Sequence, residues 1–140
     1  MPTNYYPTHI EWHMPSEHAV LDDDGDTVYY DAEAQIVFKD RDGGETSILA
    51  VFFDKPKTYT LDTDGGSAFV DSFLAGFDAR QEKDDAEDKA KIDMDKLTTE
   101  LKTKSDAGFW MYDGSLTTPP CTSDQVNWTV MKGVLSWSRK

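Results

Sequence analysis

Three side chains near the start of the chain have the type and spacing of a metal site. In THIEWHM, residues 8–14, strand geometry sends alternate side chains to opposite faces. His9, Glu11 and His13 then share one face, with Thr8, Ile10, Trp12 and Met14 on the other. Imidazole and carboxylate groups are the usual nitrogen and oxygen donors to zinc. His9 and His13 lie four strand residues apart, about 13 Å at 3.3 Å per residue. Both reach one ion only through a bulge or a shifted register.

Strands must position these groups. THIEWHM and TVYYDAEAQIVF read as strands linked by the Asp/Gly turn cluster LDDDGD. RDGG leads into TSILAVFFD, an apolar run that suits a strand buried on both faces. Residues 54–66 read as an irregular loop. In SAFVDSFLAGFDARQ the spacing predicts a helix, with Ser67 as N-cap and Phe69, Val70, Phe73, Leu74 and Phe77 on one core-facing stripe. Residues 80–96, RQEKDDAEDKAKIDMDK, carry both signs of charge and read as a solvated helical rod or a mobile insertion. The last thirty or so residues form two strand-like segments around a Pro-Pro loop.

Several Asp-rich turns invite a calcium reading, and none fits the EF-hand loop. Counting back from Gly25, Gly65 or Gly43 puts the first ligand position on Val20, Thr60 or Phe38. These are hairpin and loop turns. The sequon at Asn127 lies in an alternating apolar stretch with Val126, Trp128 and Val130, which reads as strand.

The 140 residues have the length of one domain with a modest core. An aromatic content of 12% argues against disorder. A net charge of −13 repels phosphates, so nucleic acid is excluded as a partner and an anionic membrane is disfavoured. No apolar run approaches 18 residues, so no membrane-spanning helix is expected, and no signal peptide is visible. Cys121 is the sole cysteine, either a buried thiol or half of a bridge to something outside this chain.

The string GSLTTPPCTSDQVNWTVMK, residues 114–132, resembles the α-class carbonic anhydrases. HMPSEHAV at 13–20 is similar to the family segment with the second zinc histidine followed by Ser-Glu-His. YYDAEAQIVFK resembles the strand with a Glu and the third zinc histidine, and TSILAVFFD the buried strand after it. The resemblance implies a mainly β (α+β) fold, part of a large twisted, mostly antiparallel sheet with one or two surface helices. Residues 1–140 then form a partial domain, without counterparts of the family's N-terminal and C-terminal portions. Strand edges and core surface left uncovered in this way call for a partner: other protein subunits, possibly the complementary part of the same domain. A cysteine at the position of Cys121 pairs, in many members, with one in that N-terminal portion. Members are often secreted or lumenal, which leans the expected location the same way.

The resemblance also assigns the site. Glu11, His13 and Gln35 occupy the three zinc-ligand positions, where the family has three histidines. Thr117 matches the hydroxyl that accepts a hydrogen bond from zinc hydroxide, and Glu17 the carboxylate that orients it. Glu33 and His18 match positions that fix the ligands' orientation, and Val37, Thr118 and Trp128 match the pocket wall. Zinc must lower the pKa of bound water to about 7 for hydroxide to attack carbon dioxide. A carboxylate donates charge that weakens this acidification, and an amide oxygen is a poor zinc ligand beside imidazole. The expected function is therefore a carbonic-anhydrase-like chain without hydratase activity or metal cofactor, serving as a structural or binding subunit of a larger complex. His13 is then expected to be a satisfied pocket histidine. The alternative is a zinc-dependent carbonic anhydrase with Glu11, His13 and Gln35, or His9, as its ligands. The third reading is a metal-free pocket binder.

Overall fold

A computed structural model describes residues 4–42, 44–55, 67–73, 93–123 and 125–136. The chain divides into two compact units, Met1–Asp54 with Ala107–Val134, and Lys55–Asp106 with Leu135–Lys140.

The first unit is a sheet. Its strands are β1 (Tyr5–His13), β4 (Ala32–Asp40), β5 (Thr46–Asp54), β6 (Phe109–Gly114) and β7 (Val126–Met131), in the order β1-β4-β5-β7-β6. All neighbours are antiparallel except β5 and β7. That pair is parallel because a long stretch of chain separates the two strands and returns β7 in the same direction. A small hairpin, β2 (Val20–Leu21) with β3 (Thr27–Val28), lies off this path. Asp22 shapes its turn, the Oδ1 accepting from Asp24 N at 3.0 Å and Asp26 N at 2.8 Å, with Gly25 at φ 85°. This is the turn expected of LDDDGD.

The expected strand over TVYYDAEAQIVF divides in two. Thr27–Val28 belongs to the hairpin, and the sheet strand begins at Ala32. The cause is Ser16. Its N–H donates to Tyr30 O at 3.0 Å and its Oγ accepts from Tyr30 N at 3.0 Å, which takes the Tyr30 backbone out of the ladder. TSILAVFFD is β5, as its apolar run predicts, with Ala50–Phe53 fully buried.

Cross-strand neighbours form rows on one face of the sheet. One row runs Glu11, Gln35, Ala50, Val130, Trp110, passing from polar at β1 to apolar at β7. On this face Val37, Ile48, Ala50, Phe52, Val126, Trp128 and Val130 make one buried cluster. Trp128 is also the anchor for the Thr-Thr-Pro-Pro loop. Its Nε1 donates to Ser115 O at 3.0 Å. A Cβ on Gly114 would stand 2.8 Å from the Tyr112 ring and 3.1 Å from the Trp128 ring, so only glycine fits between them.

The two outer strands differ. β1 contains Pro7 and a register shift between Pro7 and His9, both of which blunt an edge. β6 has neither, and Phe109, Trp110, Met111 and Tyr112 are all exposed on it.

In the second unit, residues 68–73 are helical (α1) and a longer helix α2 spans Met94–Thr103. Ser67 caps α1 as the sequence predicts. Its Oγ accepts from Val70 N at 3.2 Å and donates to Glu100 of α2, which also accepts from Phe69 N at 3.1 Å. Asp93 caps α2 through Lys96 N. Met94–Lys96, the end of the charged segment, is thus the first turn of α2. Residues 80–92 and Leu74 to Phe77 lie outside the described residues, as do residues 56–66 of the expected loop.

Two substitutions test these contacts. Gly114→Ala should destabilise the chain by about 1–3 kcal/mol through overpacking against Trp128. Ser67→Ala should cost about 1 kcal/mol of cap stability. Both are read from urea unfolding midpoints.

Candidate functional site

The pattern of β1 is as expected: His9, Glu11 and His13 are opposite Val37, Gln35 and Glu33 of β4. Directly opposite residues in an antiparallel pair project to the same face, so the register gathers five polar side chains there. Glu17 and His18 join them from the segment after β1.

These groups form a series of hydrogen bonds and ion pairs, with a gap between Glu11 and His13. His9 Nε2 contacts Glu11 Oε1 at 3.1 Å, and Glu11 Oε2 lies 3.9 Å from His13 Nε2. His13 Nδ1 contacts Glu17 Oε1 at 3.2 Å. Gln35 Nε2 donates to Glu17 Oε2 at 2.9 Å and to Glu33 Oε1 at 3.0 Å. Glu33 in turn holds His18, through its backbone N at 2.9 Å and its Nδ1 at 2.6 Å. His18 Nε2 meets the Tyr112 hydroxyl at 2.6 Å. A carboxylate only accepts, so the ring nitrogen that faces it carries the proton, Nε2 in His9 and Nδ1 in His18. In the neutral ring His18 Nε2 then accepts from the Tyr112 O–H.

Glu33 and Gln35 are fully buried. Burial pushes the Glu33 carboxyl up, but the side-chain and backbone hydrogen bonds and charge of His18, with the Gln35 amide, outweigh it and hold Glu33 below the usual carboxylate range. Burial first, then the charges of Glu33 and Glu17, push the Tyr112 phenol up, so it stays a donor. His18 is further fixed by edge contacts to Trp128 at 5.0 Å and Phe52 at 6.4 Å. Beyond it, an apolar cavity of about 370 Å³ is bordered by Val20, Leu21, Trp110, Tyr112 and Val130.

Several expectations need correction. His9 is not placed as a second imidazole ligand: Nδ1 contacts Thr8 Oγ1 at 2.9 Å and Nε2 holds Glu11. The register shift in β1 falls before His9 and does not bring it to His13. Both Glu17 oxygens are engaged by His13 and Gln35, whereas Thr117 and Thr118 are exposed on the loop. His13 is not fully satisfied either. Its Nε2 and the Gln35 Oε1 are buried with no hydrogen-bond partner. Val37 and Trp128 belong to the apolar core beside the polar series. Cys121 is not a buried thiol: it is exposed at φ 53°, its N–H closing a turn to Thr118 O at 2.9 Å. Tyr112 was not anticipated. The alternation of FWMYDG, which puts it on the face of Trp110, was the available signal.

A family model described as eukaryotic-type carbonic anhydrase matches residues 5–140. The chain belongs to that family. It is similar to alpha carbonic anhydrase 3 of Arabidopsis thaliana, 32% identical over 99% of this chain and 43% of the relative. Dioscorin DB3S of Dioscorea polystachya is 27% identical over 96% of this chain and 43% of its own length. Among solved structures, the α-carbonic anhydrase of Thermovibrio ammonificans in complex with sulfanilamide superposes with a TM-score of 0.66. It is 28% identical, over 98% of this chain and 51% of that one. The chain thus spans about half the length of the relatives it matches, and its twisted, mostly β sheet is the α-carbonic anhydrase sheet.

The carbonic anhydrase family normally uses zinc. The positions that the resemblance matches to its ligands hold one imidazole, one carboxylate and one amide oxygen, a set that fits zinc less well than neutral nitrogens do. Among the described residues no three His, Cys, Asp or Glu side chains are grouped to hold a metal. Glu17 and Glu33 grip the Gln35 amide as a carboxylate grips a ligating histidine.

The Glu33 shift sets a pH dependence. A carboxyl held below its unfolded value adds stability that is full above the ordinary value of 4.5 and is lost as pH falls through the folded value. Wild type should therefore lose stability steeply below about pH 4.5, and Glu33→Gln should flatten that limb. Chemical denaturation at a series of pH values reads it directly.

Proposed function

We propose that this chain is a carbonic-anhydrase fold without hydratase chemistry, serving as a structural or binding subunit of a larger complex. The observation that carries the reading is Gln35. Its amide is held by two carboxylates, which supports an oxygen, and not an imidazole nitrogen, at the position that the resemblance matches to a metal ligand. With Glu11 beside it, two of the three donors are oxygens, one of them charged. Such a set raises electron density on any bound ion and withholds the acidification of water that hydration of carbon dioxide requires. The family frame accommodates this, since the chain is similar to dioscorins as well as to carbonic anhydrases. The exposed aromatic strand β6 supports a subunit role, because an apolar sheet edge is a ready surface for another chain.

The second reading, a zinc enzyme with an altered ligand set, is favoured by the unpartnered His13 Nε2 and Gln35 Oε1. Carbon dioxide hydration by the chain supplemented with zinc separates the two. The expected rate is the uncatalysed one at every zinc concentration. Acceleration that appears with zinc and disappears with chelator would overturn the proposal in favour of the enzyme.

A further inference from the structure

We propose that the apolar cavity between the β2–β3 hairpin and β6 binds a small, uncharged aromatic molecule bearing a hydroxyl group, whose hydrogen bond the Tyr112 oxygen accepts. The proposal stands whether or not the chain is a subunit of a complex.

Ala19, Val20 and Leu21 form one wall and Trp110, Tyr112 and Val130 the other, around about 370 Å³. That volume is at the small end of ligand pockets, about 300–1,000 Å³, and suits a body of one or two rings. Alternation along β6 sends Trp110 and Tyr112 to this face of the sheet, and Phe109 and Met111 to the other. Trp110 and Tyr112 are each 44% exposed, although Trp128 and Val130 on the neighbouring strand are buried. Large rings left open beside a formed apolar cavity are what a small-molecule site is lined with.

His18 borders the same cavity, and its bond to Tyr112 is the polar edge. Glu33 holds the His18 Nδ1 proton, so Nε2 takes the one hydrogen of the phenol, at 2.6 Å. The Tyr112 oxygen keeps a lone pair, and His18 is its only hydrogen-bond partner among the described residues. Bonds in series from Glu33 polarise that oxygen and make it a better acceptor. The pair therefore offers an acceptor and no donor.

This decides between classes of ligand. A carboxylate brings only acceptors, and it meets the charges of Glu33 and Glu17 that already push the Tyr112 phenol up. A cation meets Lys132, whose Nζ stands 4.8 Å from the centre of the Trp110 ring. A molecule without a polar group displaces water from the Tyr112 oxygen and gives nothing in return. An uncharged hydroxyl on a flat apolar body donates to Tyr112 and packs its ring against Trp110, Val20 and Val130.

The test is equilibrium dialysis of the whole chain in sealed cells against p-cresol, toluene and p-toluate, three probes with one body and different ends. Wild type should bind one p-cresol, toluene about 3–10-fold more weakly, the worth of one hydrogen bond, and p-toluate more weakly still. Tyr112→Phe should bring p-cresol and toluene to equal affinity. Ala19→Trp, at an exposed position of the wall, should fill the space and weaken p-cresol by about 10-fold or more. Circular dichroism checks the fold of each variant, and if Tyr112→Phe does not fold, Ala19→Trp and the three wild-type affinities decide. Equal affinity of wild type for p-cresol and toluene would overturn the proposal. So would p-cresol binding that Ala19→Trp leaves unmoved, or no saturable binding of p-cresol at all.

Discussion

A carboxylate with no access to water has to be satisfied by its neighbours, and Glu33 on β4 imposes that condition on everything around it. An unpaired charge in such a place is among the most costly features a fold can contain. Three hydrogen-bonding contacts meet the requirement, two from His18 and one from Gln35, and the phenol of Tyr112 holds His18 from behind. Each partner is then fixed in turn. His18 cannot rotate without abandoning Glu33, Gln35 cannot turn its amide, and Glu17 is drawn to the second amide hydrogen. The arrangement of His18, Gln35 and Glu17 follows from one buried charge.

The polar series and the apolar cluster share one face of the same sheet, divided by strand. β1 and the near side of β4 contribute carboxylates and imidazoles, while β5 and β7 contribute Ala50, Phe52, Trp128 and Val130. The low-dielectric side makes each hydrogen bond of the polar side stronger and each unpaired atom more costly. His18 stands at the boundary, bonded to Glu33 on one side and packed edge-on against Trp128 and Phe52 on the other. This position explains why a histidine, with two polar atoms on a flat apolar ring, suits the place.

Much of this was legible in the sequence. Period-two alternation identified β1 and its polar face, the apolar run identified β5, and Ser67 followed by an apolar stripe located the start of α1. The Gly-Ser to Asn-Trp-Thr string carried the family, and the structure gives its physical basis in Gly114 packed beneath Trp128. What sequence reasoning missed depended on contacts between distant residues. Nothing local says that Ser16 will claim the Tyr30 backbone and split the strand over residues 27–38. Nothing local says that Glu17 will turn to His13 and Gln35 instead of the Thr117 loop, or that Tyr112 will complete the series from 94 residues away.

The parallel pairing of β5 with β7 carries a consequence for the order of assembly. β1, β4 and β5 pair among the first 54 residues; they carry His9, Glu11, His13, Glu33 and Gln35, with Glu17 in the segment between β1 and β4. β7 meets β5 only across about eighty intervening residues, as the Ser47–Asn127 bond shows. At ordinary rates of synthesis the ribosome needs on the order of 10 s to deliver the rest of the chain. For that interval the nascent chain can carry the Glu33, Gln35 and Glu17 bonds while the β5 edge is bare and His18 still waits for its phenol. The most chemically specified part of the molecule is thus also the earliest able to form.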